Sequence, residues 1–259
     1  MTRYWTALTL PLLLLCAPNV VGETRPSAAS ATLPPPGRYV CVRAGGPITI
    51  DGKPTEAAWR AVAVADLSHW IGHSEAPSQK TTARLLWDDE NLYVAIECED
   101  RDIFATKATR DAFLWEDFEV AEVYLDPTGE GRNYKEFEVN PLNAVIDLNT
   151  PDEKSVGNVA HNLLWNAAGL RTAVHVEGTL DRRDDQDTRW TVEMAIPFAA
   201  LAPTKPRAGD SWRLNLYRYD NSPFGDEKFR LSAWSAVRTW PHEPDRFGRL
   251  VFASKGRNE

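Results

Sequence analysis

FLWEDFEVAEVYLD, residues 113–126, sets five carboxylates among aromatic and aliphatic side chains. Read as a strand over 118–126 it sorts by face, because successive side chains of a strand point to opposite sides. Glu119, Ala121, Val123 and Leu125 share one face, which is apolar once Glu119 is placed at the strand's entrance. Phe118, Val120, Glu122, Tyr124 and Asp126 share the other. The next run, YKEFEVN (134–140), repeats the arrangement, with Phe137 and Val139 inward and Tyr134, Glu136, Glu138 and Asn140 outward. RLNLYRYD (213–220) adds Arg213, Asn215, Tyr217 and Tyr219 to a polar, aromatic face. If these strands share a sheet, that face is either solvated or built to hold a neutral polyhydroxylated ligand. Rings would cover the ligand's C–H faces, and carboxylates and amides would take its hydroxyls.

The same period of two runs through the chain. Leu92, Val94, Ile96 and Cys98 alternate with polar or small residues; so do Leu170, Thr172, Val174 and Val176. Trp190, Val192, Met194 and Ile196 form a third set, and Trp212, Leu214 and Leu216 a fourth. Each reads as a half-buried strand. Turn chemistry separates them: DDEN at 88–91, DPTGEGRN at 126–133, DRRDDQD at 181–187 and TKPRAGD at 204–210. Helix signals are short, PTEAAW (54–59) and PFAALA (197–202), each opened by a proline. Roughly ten strands without strand–helix alternation predict an all-β, two-sheet antiparallel sandwich, jelly-roll-like, with one or two short helices.

Arg3, the apolar run LTLPLLLLCA and the small residues of NVVG predict a secretory signal peptide over 1–22 rather than a transmembrane segment. The chain is thus expected to be secreted or periplasmic. Lipid anchoring at Cys16 is the lesser alternative, since Leu15 precedes it where a small residue is usual. Residues 23–38 are rich in Pro, Ser and Ala and read as a linker; 39–253 form the sandwich and 254–259 a tail. A formal net charge of −8 argues against nucleic acid and acidic membranes as partners. Cys41 and Cys98 are either a disulfide, which an oxidising compartment permits, or two buried thiols.

Six segments in order carry a resemblance. They are ITIDGKPTEAAW (48–59), ARLLWDDENLYVAIECED (83–100), LWEDFEVAEVYLDPTGEGRNYKEFEVNP (114–141), WTVEMAIPFAAL (190–201), SWRLNLYRYD (211–220) and SAWSAVRTWPHEPDRFGRLVF (232–252). Together they resemble the family 9 carbohydrate-binding modules and their free-standing secreted relatives, from about Tyr39 to Phe252. The resemblance implies a β-sandwich that binds sugar and catalyses nothing. It places Trp115 and Trp240 as a clamp on the ligand and Glu122 as an acceptor carboxylate. Glu138, Asn140 and Tyr217 are the other polar contacts expected. Where binding members carry an arginine, this chain has Glu138, which changes both charge and donor count. The resemblance also implies that structural calcium is possible, with DDEN, ECEDRD (97–102) and DPTGEGRN as oxygen-rich stretches.

Two other classes compete. One is the same sandwich used as an accessory or interaction module without sugar affinity. The other is a glycoside hydrolase, for which Glu122 and Glu138 are the candidate carboxylate pair. Haem finds no C-x-x-C-H, and Met194 alternates with the core set.

Overall fold

The computed structural model describes residues 33–254 other than residue 74 and residues 222–229. The signal peptide expected over 1–22, Cys16, most of the linker and all but the first residue of the tail lie outside them. Thirteen strands form among the described residues. They are β1 (Arg38–Arg43), β2 (Ala65–Asp66), β3 (His69–Trp70), β4 (Thr81–Trp87), β5 (Asn91–Glu99), β6 (Val120–Asp126) and β7 (Tyr134–Val139). After these come β8 (Val145–Thr150), β9 (Arg171–Glu177), β10 (Arg189–Pro197), β11 (Ser211–Asp220), β12 (Arg230–Ala233) and β13 (Gly248–Ala253). Of three four-residue helices, α1 (Ala57–Arg60) and α3 (Phe198–Leu201) fall where the two prolines point. The sequence did not announce α2 (Val159–Asn162). Among the described residues no helix is long and apolar enough to cross a membrane.

The strands run in the order β8-β7-β6-β11-β13-β1-β4-β5-β10-β9, a sheet curled into a sandwich. All ladders are antiparallel except those of β1, which is parallel to both β13 and β4. The inward faces meet in one core: Ala121, Val123, Leu125, Phe137, Val139, Leu214 and Leu216 from one side, and Leu92, Val94, Ile96, Trp190, Val192 and Met194 from the other. Burying two apolar faces against each other is the main driving force of such a fold, at roughly 25 cal/mol per Å². The alternations read from the sequence therefore place the core-facing residues of β5, β6, β7, β10 and β11.

Cys41 and Cys98 are free, buried thiols. The disulfide considered for them is not made, because β4 lies between β1 and β5 and separates their strands. Burial pushes the Cys98 thiol up to about 12.

Candidate functional site

The turn between β6 and β7 fixes everything that follows. Asp126 accepts hydrogen bonds from the backbone N–H of Thr128 (3.1 Å), Gly129 (2.8 Å) and Gly131 (2.8 Å). Gly129 and Gly131 sit at φ of +71° and +74°, left-handed conformations that glycine adopts without steric cost. The resulting register sets Glu122 opposite Glu138 and Tyr124 opposite Glu136. On its other side β6 sets Glu122 opposite Tyr217. A one-residue slip would send all of these side chains into the core, so the buried inward face holds the register in place.

The outward face is not solvated. Glu122, Glu136 and Glu138 are each 2% exposed. They line a cavity of about 250 Å³ together with Tyr124, Thr150, Tyr219, Asn162, His242, Trp115 and Trp240. Trp115 rides on a short 3-10 turn, Leu114–Glu116, and stacks on Phe113 with ring centroids 4.9 Å apart. Trp240, 42% exposed, comes from a loop near the end of the domain and lies 4.5 Å from the His242 ring. Glu243 ties that loop together. Its carboxylate accepts the backbone N–H of Arg238 and of Thr239, each at 2.8 Å, and the Thr239 hydroxyl at 3.1 Å. These bonds hold its carboxyl below the usual range despite an opposing push from burial.

Three acids so close and so dry cannot all ionise at neutral pH. Burial raises Glu122 well above the ordinary carboxylate value, and the Glu136 charge adds to it. Glu138 is likewise raised by burial and then by Glu122 and Glu136. Glu136 is pushed up to about 7 by burial, partly offset by the Thr150 hydroxyl that donates to it. Burial lowers His242 to about 4, and its Nδ1 is hydrogen-bonded to the Tyr134 hydroxyl at 2.8 Å. His242 also sits 3.7 Å from Glu136. The contact is not an ion pair at neutral pH, since the imidazole is then uncharged.

Of the six residues singled out in the sequence, Trp115, Trp240, Glu122 and Glu138 share this cavity; Asn140 and Tyr217 do not line it. Asn140 stands where the chain leaves β7, so its amide is spent on the turn. Its Oδ1 accepts from Leu142 and Ala144, and its Nδ2 donates to the Lys107 carbonyl at 2.7 Å. Tyr217 is covered by the segment after β12. It accepts from Asn215 and donates to the Pro241 carbonyl at 2.7 Å, fixing the backbone next to Trp240. Sequence reasoning missed Glu136, His242 and Asn162 as lining residues. The alternation of YKEFEVN already put Glu136 on the right face; nothing in the sequence pointed to α2 or its Asn162.

The acidic turns considered for calcium use their oxygens locally. Asp88 accepts from the N–H of Glu90 and Asn91 and from the Tyr93 hydroxyl, and Asp126 closes its own turn. Among the described residues one cluster could ligate a metal: Asp100, Glu119 and Asp220, all buried. Arg218 lies among them, 2.9 Å from Asp100 and paired with Glu119. Gln79 donates to both oxygens of Asp220 at 3.0 Å. The N–H of Asp102 takes the other Asp100 oxygen, and that of Asn221 the other oxygen of Glu119. Every oxygen of the cluster is thus engaged, so a calcium ion would have to displace Arg218.

Comparison with known proteins gives the family. Residues 50–255 match the family model for carbohydrate family 9 binding domain-like proteins, and the chain belongs to that family. A family 9 module from Caldicellulosiruptor kristjanssonii solved with cellotriose shares 16% identity at a TM-score of 0.56, covering 85% of this chain and 96% of that one. The structure with glucose of a family 9 module from the same organism gives the same identity and TM-score, covering 86% and 98%. A Bacteroides uniformis protein provisionally assigned to carbohydrate binding shares 14% identity at a TM-score of 0.62, covering 84% and 99%. Among curated proteins no sequence matches significantly.

Proposed function

With membership of that family as the premise, we propose that this protein is an exported, non-catalytic carbohydrate-binding module. It holds a sugar between Trp115 and Trp240 over the carboxyls of Glu122 and Glu138. The observation that carries the reading is the shared cavity. Two indoles from distant parts of the chain line the same space as two carboxyl groups paired across adjacent strands. At about 250 Å³ the cavity lies just below the ~300–1,000 Å³ of pockets for drug-sized ligands and suits a single ring of a larger glycan. Family members solved with cellotriose and with glucose support a sugar as the ligand class.

The carboxyl geometry favours binding over hydrolysis. A glycosidase sets its acid and its nucleophile or base on either side of the scissile bond, about 5–9.5 Å apart. Glu122 and Glu138 are directly opposed on neighbouring strands of one face. Their carboxyls therefore rise side by side from one wall of the cavity, and neither stands across a bound sugar from the other. A glycan array probed with residues 33–259 tests the proposal. Binding that is lost in Trp115→Ala and in Trp240→Ala supports it; retention by both variants, or a blank array, overturns it.

A further inference from the structure

The buried lining of this cavity gathers three carboxyl groups, Glu122, Glu136 and Glu138, with no cation among the described lining residues to offset them. Among its described residues three buried polar atoms have no hydrogen-bond partner: Glu122 Oε2, Glu138 Oε2 and Asn162 Oδ1. Asn162 is held with its oxygen free because its Nδ2 donates to the Ser155 carbonyl at 3.0 Å. No lysine or arginine is among the described lining residues, and His242 is uncharged at neutral pH. Buried polar oxygens left unpaired are costly, and once ionised the two carboxyls can only accept, so the cavity suits a ligand that brings donors and a positive charge. A neutral hydroxyl brings one donor and adds an acceptor of its own. An ammonium brings three donors, no acceptor and a positive charge.

We propose that the ligand carries a protonated amine: an amino sugar unit, as in a glucosamine oligosaccharide, with its ammonium held by Glu122, Glu138 and Asn162. The inference rests on the sugar-binding reading above and names the substrate class of the same site. Trp115 and Trp240 fit such a ligand too, since the face of an indole attracts a cation. An N-acetyl group would remove the charge, and a uronic acid would meet three acids.

Proton linkage gives the inference its own signature. In the empty site Glu122 and Glu138 are kept protonated by burial and by each other, with Glu136 adding to both. Tyr124 and Tyr219 from β6 and β11 and His242 from the loop face the same space and carry no charge near neutral pH. An arriving ammonium favours the ionised pair, so binding should expel a proton; a neutral sugar should not.

The test compares three β-1,4 disaccharides that differ at carbon 2: one of glucosamine, one of N-acetylglucosamine, and cellobiose. Each is titrated calorimetrically in mildly acidic solution, in two buffers of different ionisation enthalpy. The expected result is that the glucosamine disaccharide binds at least tenfold tighter than the others and alone releases a proton. Glu122→Gln and Glu138→Gln, which keep shape and remove charge, should each erase that preference. Equal or tighter binding of cellobiose would overturn the inference and leave the sugar-binding reading intact. Failure of all three sugars together with a blank array would overturn both.

Discussion

Glu136→Gln should make the protein more stable at neutral pH, and the gain should shrink on acidification. The Glu136 carboxyl lies at about 7 in the fold against 4.5 when free, because burial opposes its charge. A group raised in this way costs nothing below its unfolded pKa and destabilises increasingly as pH rises from there to the folded value. At 1.36 kcal/mol per unit, the penalty at about pH 7 is on the order of 3 kcal/mol, and at about pH 5 on the order of 1 kcal/mol. Glutamine removes the titration. Any packing defect of its amide is the same at both pH values and cancels in the comparison. His242, lowered by burial, works in the opposite sense below its unfolded value of about 6.5, but it is present in both proteins and its share largely cancels too. Urea unfolding of wild type and variant at the two pH values measures the difference. A gain about 2 kcal/mol larger at pH 7 than at pH 5 is expected. An identical stability difference at both would show that Glu136 ionises normally and that the cavity is wet.

Other outcomes follow from named contacts. Trp240→Ala should weaken sugar binding tenfold to a hundredfold, equivalent to about 1–3 kcal/mol, as an anchoring tryptophan does. Its loop should stay in place, because the bonds of Glu243 and Tyr217 do not involve the indole; far-UV and near-UV circular dichroism read the fold, and calorimetry the affinity. Cys41 and Cys98 should be silent to a thiol reagent in the native state and both react in denaturant; failure to react when unfolded would restore the disulfide. Arg218→Met leaves Asp100 and Glu119 without their cation and should cost about 3–5 kcal/mol, less in acid, where the carboxyls take up protons. A loss below about 1 kcal/mol at neutral pH would mean that another cation serves those acids.

The sandwich was readable because its signal is local. A strand with one buried face writes a period of two into the sequence, and Trp190, Val192, Met194 and Ile196 or Ala121, Val123 and Leu125 follow that rule closely. The same rule put Glu122 and Glu138 on one face, and the family resemblance supplied Trp115 and Trp240. What stayed hidden depends on pairings remote in sequence. That β1 runs parallel to two neighbours has no local signature. Nor does the covering of the acidic face, which turns wet-looking glutamates into dry ones once the segment around α2 and the Trp240 loop close over them. Asn140 and Tyr217 fall outside the cavity for a related reason. Alternation says which face a side chain takes, and not whether a turn or a passing loop consumes its hydrogen bonds first.

The central claim is that a sugar occupies the space between two particular tryptophans, and indole N–H resonances report on it directly. Spectra of the isotopically labelled protein, titrated with the best glycan from the array, should shift the two indole signals that Trp115→Ala and Trp240→Ala remove, and leave the core indoles of Trp59, Trp190 and Trp212 unmoved. Shifts confined to other indoles, with those two unchanged at saturation, would contradict the account.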